Sequence, residues 1–253
     1  MQTYSLITAV LDGYHEHLPE TYASLRAQEL PAGWDWEWIV REDGDTGQPL
    51  SVLPSDPRIS SSTGPRGRAA TARTLALGQA RGVIVRALDA DDLLTDGALL
   101  RDIETLREHP DIGWCFSPTT NLLPDGTERP GETLAAPGRI PLGYFLDARD
   151  RIDLLSVAGS ALCAYSDLIR AVGGWFAVPA NDDVGLLLAV GEVSAGWMID
   201  EPSLLYRRWQ GSTTEALDRA AVQAADDRSA AMLARAASLR DTGWRWKPSR
   251  AVG

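Results

Sequence analysis

Apolar positions along the first half of the chain fall into short continuous runs separated by stretches of helical spacing. Tyr4 to Val10 (Tyr-Ser-Leu-Ile-Thr-Ala-Val) is a run of strand length, ended by Leu11-Asp12-Gly13. Leu18, Tyr22 and Leu25 then recur at helical spacing, with Pro19 suited to the first position of a helix and Pro31-Ala32-Gly33 breaking it. Trp36 to Val40 predicts a second strand, which runs into Arg41-Glu42-Asp43-Gly44-Asp45. After a proline-containing polar loop, Arg58-Ile59-Ser60 predicts a short third strand. Arg68 to Arg81 is rich in Ala, Arg and Leu and predicts a helix with Gly82 as its left-handed stop. Val83 to Leu88 reads as a buried strand of a parallel sheet. Thr95 or Asp96 is the expected cap of a helix to about His109, with Leu99, Leu100, Ile103 and Leu106 on one face, and Ile112 to Phe116 is another strand. This alternation predicts an α/β fold: a mostly parallel, Rossmann-like central sheet covered by helices on both faces.

The second half is less regular. Pro124-Asp125-Gly126 signals a hairpin turn, and Ala135 to Ile140 reads as a loop. Leu154 to Tyr165 is expected to hold one or two strands, and Ser166 to cap a short helix ending at Gly173-Gly174. Trp175 to Asn181 is irregular; Asp182 to Val193 has helical spacing; Leu204 to Trp209 is a late strand. Thr214 to Asp241 is Ala-rich, lacks Gly and Pro, and predicts a long helix. No repeat, low-complexity tract or linker interrupts the 253 residues, so one domain with sub-regions is expected.

Composition narrows the partners. With 44% apolar residues and a net charge of −11, the chain is neither disordered nor built for nucleic acid or anionic membrane. No apolar run reaches membrane-spanning length, and Met1-Gln2-Thr3-Tyr4 carries no signal-peptide features. Cys115 and Cys163 lie in apolar stretches without metal-type spacing, which predicts buried free thiols and a cytoplasmic location.

The candidate chemistry is acidic and sits where strands end. Asp89, Asp91 and Asp92 close the Val83–Leu88 run, at the edge where open α/β sheets bind ligands. Carboxylates this close repel unless a positive charge stands between them, and hard oxygen ligands suit Mg²⁺ or Mn²⁺. The competing reading is that Asp91 or Asp92 caps the next helix.

Several segments, in order, resemble family 2 glycosyltransferases of the GT-A fold. They are Val10-Leu11-Asp12, Glu42-Asp43-Gly44-Asp45, Arg73-Thr74-Leu75-Ala76-Leu77, Leu88-Asp89-Ala90-Asp91-Asp92, and Gly173-Gly174-Trp175 followed by Asp182-Asp183. The likeness spans roughly residues 4 to 210. It implies an inverting transferase that moves a sugar from a nucleoside-diphosphate sugar, with UDP as the leading nucleotide, to a small-molecule or glycan-precursor acceptor. Val10, Asp12, Asp43, Arg73, Asp89, Ala90, Asp91 and Arg207 would then line the donor site, and Asp43 would accept a hydrogen bond from the base. Asp89 and Asp91 would hold a divalent metal. Asp183, beside Asp182, would be the general base, with Trp175 and Asp92 on the acceptor side. Either aspartate could instead cap its helix, and the start of that helix should favour the ionised form of both.

One departure stands out. Where the family often has Tyr-Arg-x-His, this chain has Tyr206-Arg207-Arg208-Trp209, and His15, His17 and His109 lie elsewhere in the sequence. Strict metal dependence is therefore open, and Arg207 or Arg208 is an alternative partner for the diphosphate. The resemblance divides the chain into a nucleotide-sugar half (1–117), an acceptor half (118–210) and a C-terminal helical extension (211–253). The rival readings are a sugar nucleotidyltransferase, which expects a Gly-rich basic loop where Leu11-Asp12-Gly13-Tyr14 stands, and a non-catalytic nucleotide-sugar-binding protein. A dehalogenase-type phosphatase would need a catalytic lysine, and Lys247 is the only lysine.

Overall fold

The computed structural model describes residues 1–150, 158–209, 225–249 and 251–253. Strands β1 (Gln2–Val10), β2 (Trp34–Glu42), β3 (Ile59–Ser62) and β4 (Ile84–Ala87) pair in parallel in the spatial order β3-β2-β1-β4. Helix α1 (Leu18–Arg26) joins the first two strands, and α2 (Arg68–Leu77) joins β3 to β4. The carboxyl ends of all four strands therefore share one edge. Leu6, Ile7, Trp38, Ile39, Ile84 and Val85 are buried, as expected of strands covered on both faces.

After β5 (Leu93–Leu94) and α3 (Ala98–Glu108), the chain adds β6 (Trp114–Phe116), then the hairpin β7 (Thr119–Leu122) and β8 (Glu128–Pro130), and then β9 (Gly138–Ile140). Helix α4 (Tyr144–Ala148), β10 (Leu162–Tyr165), α5 (Ser166–Ala171), α6 (Asp182–Val193), β11 (Gly196–Met198), β12 (Leu204–Arg207) and α7 (Ala225–Asp241) complete it. The large sheet continues from β4 as β10-β6-β11-β9, with β10 and β9 reversed, and is mainly parallel. A second sheet, β5-β12-β7-β8, stands beside the turn that follows β4.

Several elements differ from expectation. Helix α2 stops at Gly78, short of Gly82. Gly82 does not end a helix: its N–H donates to Ser5 Oγ at 2.8 Å, and a Cβ there would lie 2.4 Å from the same atom, so the residue is small because backbones meet. At α3 the N-cap is Gly97 in the left-handed region, while the Thr95 hydroxyl turns away to the Pro202 carbonyl. The stretch expected as a loop at 135–140 ends in edge strand β9, and the hydroxyl of Ser166 holds the Gly82 carbonyl rather than capping α5. Strand β12 ends at Arg207 and lies in the second sheet. Residues 154–157 and 214–224 of the expected late elements lie outside the described residues.

Beneath the site edge runs a buried polar network. Arg86 on β4 is fully buried and donates to Asp102 at 2.9 Å, to Ser203 Oγ at 2.7 Å and to the Ser160 carbonyl. Tyr4 also donates to Asp102, at 2.7 Å. A buried ion pair survives only when its remaining donors are used, and Arg86 uses them on three different segments.

Candidate active site

The acidic turn after β4 is placed by the sheet. Asp89 accepts from the Arg73 guanidinium, and its own N–H donates to Ser160 Oγ at 3.0 Å. The carbonyl of Ala90 accepts from Thr21 Oγ1 at 3.0 Å, fixing the turn against α1. Asp91 accepts from the indole N–H of Trp209 at 2.8 Å. Asp92 accepts from the Arg207 N–H at 3.1 Å, while its Oδ2 is buried without a hydrogen-bond partner. Burial, with Asp89 and Asp91 close by, pushes the Asp92 carboxyl well above the usual range. Burial and Asp89 also raise Asp91, against the opposing bond from Trp209.

At the end of β2, Glu42 and Asp43 divide their work. Glu42 is buried and takes the N–H groups of Thr46 and Gly47 and the Thr46 hydroxyl, so it shapes the loop. Burial opposes its charge, but those bonds hold its carboxyl below the ordinary value. Asp43 accepts from the Gly67 N–H at 2.6 Å, and its own N–H donates to the carbonyl of Val10. Asp43 lines a cavity of about 550 Å³ with Asp12, Tyr14, Asp45 and Arg66.

Arg73 connects the two acidic regions. Besides Asp89 it donates to Asp182 Oδ2 at 2.7 Å. Burial works against its charge, but Asp89, Asp182 and Asp183 outweigh that and hold its pKa above the ordinary value. Asp182 and Asp183 open α6, whose N-cap is Asn181, so neither is the cap residue considered from sequence. Asp182 accepts from Arg73, while among the described residues Asp183 Oδ1 accepts the neighbouring Val184 N–H at 2.9 Å. The helix start does not keep Asp183 at an ordinary carboxylate value: desolvation first, then Asp182, raises its carboxyl to about 7. Desolvation outweighs the helix terminus here. The two non-glycine residues with positive φ among those described, Arg68 and Asn181, flank Gly67 and Asp182, at the two ends of this constellation.

Other expected site residues fall differently. Trp175 is 3% exposed and packs in the core, its carbonyl accepting from the Thr74 hydroxyl, so its ring presents no open stacking face. Asp92 is turned inward to Arg207 rather than outward to an acceptor. Arg207 spends its side chain on the Asp91 carbonyl at 2.8 Å and on Glu20 at 2.6 Å; Arg208 bonds Asn121 and stacks on Tyr206. Sequence reasoning missed Trp209, Ser160 and the histidines of the β1–α1 loop. His17 lies edge-on to Trp209, with ring centroids 5.7 Å apart, and His15 Nδ1 is 3.9 Å from Asp12. Trp209 stands where the family pattern has histidine, which was the signal to follow.

The carboxylate oxygens of Asp89 and Asp91 are hard ligands of the kind a divalent ion takes, but Asp89 already accepts from Arg73 and Asp91 from Trp209, and Asp92 is turned inward. Among the described residues, the group of three whose ligand atoms gather closely enough to hold a metal is Asp102, Cys115 and Cys163, not the Asp89–Asp92 turn. There Arg86 already balances the carboxylate and both thiols are buried and free, so that cluster belongs to the core.

The model of glycosyl transferase family 2 matches residues 5–164, well over half of the chain, from within β1 to within β10. The chain belongs to glycosyl transferase family 2. Solved structures agree on the GT-A fold. S. aureus TarS 1–349 in complex with UDP-GlcNAc superposes with a TM-score of 0.67 at 16% identity, covering 85% of this chain and 61% of that one. TarS 1–349 in complex with UDP gives 0.64 at 16% identity over 82% and 61%, and TarS itself 0.63 at 14% over 97% and 44%. This family 2 chain thus spans at most about three fifths of the length of those structures. No curated protein matches it. Among the described residues no helix is long and apolar enough to cross a membrane.

Proposed function

We propose that this chain transfers a sugar from a UDP-linked donor to an acceptor hydroxyl with inversion, using Asp183 as general base. The observation that carries this reading is the division of labour at α6. Arg73 bonds Asp182, while Asp183, half-buried and raised by desolvation to about pKa 7, accepts among the described residues the Val184 N–H rather than a charged donor. A base works best when its pKa lies near the working pH. The acceptor oxygen attacks the anomeric carbon from the face opposite the leaving group. Its proton goes to Asp183, and the bond from carbon to the diphosphate oxygen breaks.

The cavity beside Asp43 supports a nucleotide base there, since one Asp43 oxygen is engaged by Gly67 and the other is available to an imide N–H. The UDP-GlcNAc complex of TarS supports UDP as the nucleotide. Asp89 and Asp91 would hold Mg²⁺ or Mn²⁺, which supplies Lewis-acid neutralisation of the leaving diphosphate. In this reading residues 1–117 bind donor and 118–210 shape the acceptor side. The test is release of free nucleoside diphosphate from a panel of nucleotide sugars. Release from a UDP sugar, lost in Asp183→Asn while donor still binds, supports the reading; release of pyrophosphate from a nucleoside triphosphate and sugar phosphate would replace it with nucleotidyl transfer.

A further inference from the structure

The 3₁₀ turn Gly159–Ala161 lies between the donor acids and the proposed base, and touches both. On one side Ser160 Oγ accepts the Asp89 N–H at 3.0 Å. On the other, Gly159 lies flush against Asp183: a Cβ added there would sit 2.5 Å from Asp183 Cβ and 3.0 Å from Oδ2. From beneath, Arg86 donates to the Ser160 carbonyl. Arg86 is fully buried and ion-paired to Asp102, so the support is rigid. The turn leads into β10, which pairs with β4 and β6 in the sheet.

From this arrangement we propose that Gly159 and Ser160 are positioning residues for sugar transfer, and that their turn sets the separation between the donor acids and Asp183. Ser160 holds the backbone of Asp89, so it acts on donor binding. Gly159 leaves the room that Asp183 occupies, so it acts on proton transfer. The two sides differ in chemistry and should separate in kinetics. A misplacement of an ångström at a reacting group costs up to about a hundredfold in rate. A lost hydrogen bond costs about three- to tenfold in affinity.

This inference rests on the glycosyl-transfer reading above. Its test uses the full chain with Mn²⁺, UDP calorimetry, and UDP release by hydrolysis from whichever of UDP-GlcNAc, UDP-glucose and UDP-galactose the wild type cleaves fastest. In that assay water is the acceptor and gives its proton to Asp183. Gly159→Ala is expected to bind UDP within twofold of wild type and to lose turnover roughly ten- to hundredfold. Placed on Asp183→Asn, it should slow the remaining reaction less than about threefold, because the group it displaces is already disabled. Ser160→Ala keeps the carbonyl that Arg86 holds, and should weaken UDP binding about three- to tenfold. Melting temperatures identify variants that fail to fold; if Gly159→Ala does, Ser160→Ala decides alone. Wild-type turnover in Gly159→Ala, equal slowing on both backgrounds, or unchanged UDP affinity in Ser160→Ala would overturn the proposal. A wild type that neither binds UDP nor cleaves any of these donors removes the UDP-sugar reading, and the proposal with it.

Discussion

At the scale of single residues, the site is governed by how few positive charges meet many negative ones. Among the described residues Arg73 is the guanidinium that bonds both Asp89 and Asp182, while desolvation dominates at Asp183. The consequence is a pH dependence with a definite sign. Asp183 must lose its proton to act, so transfer should rise as pH climbs through about 7. Stability should move the other way: between the unfolded carboxyl value and about 7, the folded chain keeps a proton the unfolded chain has lost, so raising pH through that window destabilises. Asp182→Asn removes the charge that raises Asp183, and the acid limb of the rate profile should shift to lower pH. Arg73→Met removes the opposing charge and should shift it higher while weakening UDP binding. A pH series of UDP release for wild type and both variants checks this; identical limbs in all three would separate Asp183 from the rate. Asp89 to Asp92 are legible in the sequence because an apolar run ends in three carboxylates within four residues. Asp183 was singled out by family likeness, but its raised pKa was not readable, because desolvation depends on neighbours distant in sequence such as Arg73 and Gly159.

At the scale of elements, β4 and its surroundings organise the molecule. The first half was readable because parallel strands are continuous apolar runs and their helices carry spaced apolar faces. In the second half the hairpin at 124–126, the helix from Asp182 to Val193 and the strand from Leu204 were readable, but β9 and β11 were not, since they have three residues each and are defined by their partners. Gly82 shows the limit of local rules: a helix-stop signal in sequence, but a close-approach residue in the fold. Gly82→Ala would place Cβ 2.7 Å from the Ser5 backbone nitrogen and 2.8 Å from the Ile84 carbonyl. Backbone cannot yield as a side chain does, so thermal unfolding should show a loss of about 2–3 kcal/mol. Beneath it, Arg86→Met strands the buried Asp102 carboxylate, and denaturant titration should register a loss of about 3–5 kcal/mol. Asp102→Asn in that background should recover part of it by removing the orphaned charge.

At the scale of the whole molecule, the parallel half brings Asp43, Asp89 and Asp91 to one sheet edge, and the mixed half brings Asp183 toward them through Arg73 and the Gly159–Ala161 turn. Trp209 of the chain leaving the second sheet closes on Asp91 from a third direction. The central claim is that this edge holds a nucleotide sugar. Calorimetric titration of UDP-GlcNAc with Mn²⁺ into wild-type and Asp91→Ala proteins tests it most directly. Saturable binding by the wild type, weakened at least about tenfold, or ~1.4 kcal/mol, in Asp91→Ala at an unchanged melting temperature, is the predicted result. Equal binding by both proteins would contradict the account, because the donor would then sit away from the acidic turn.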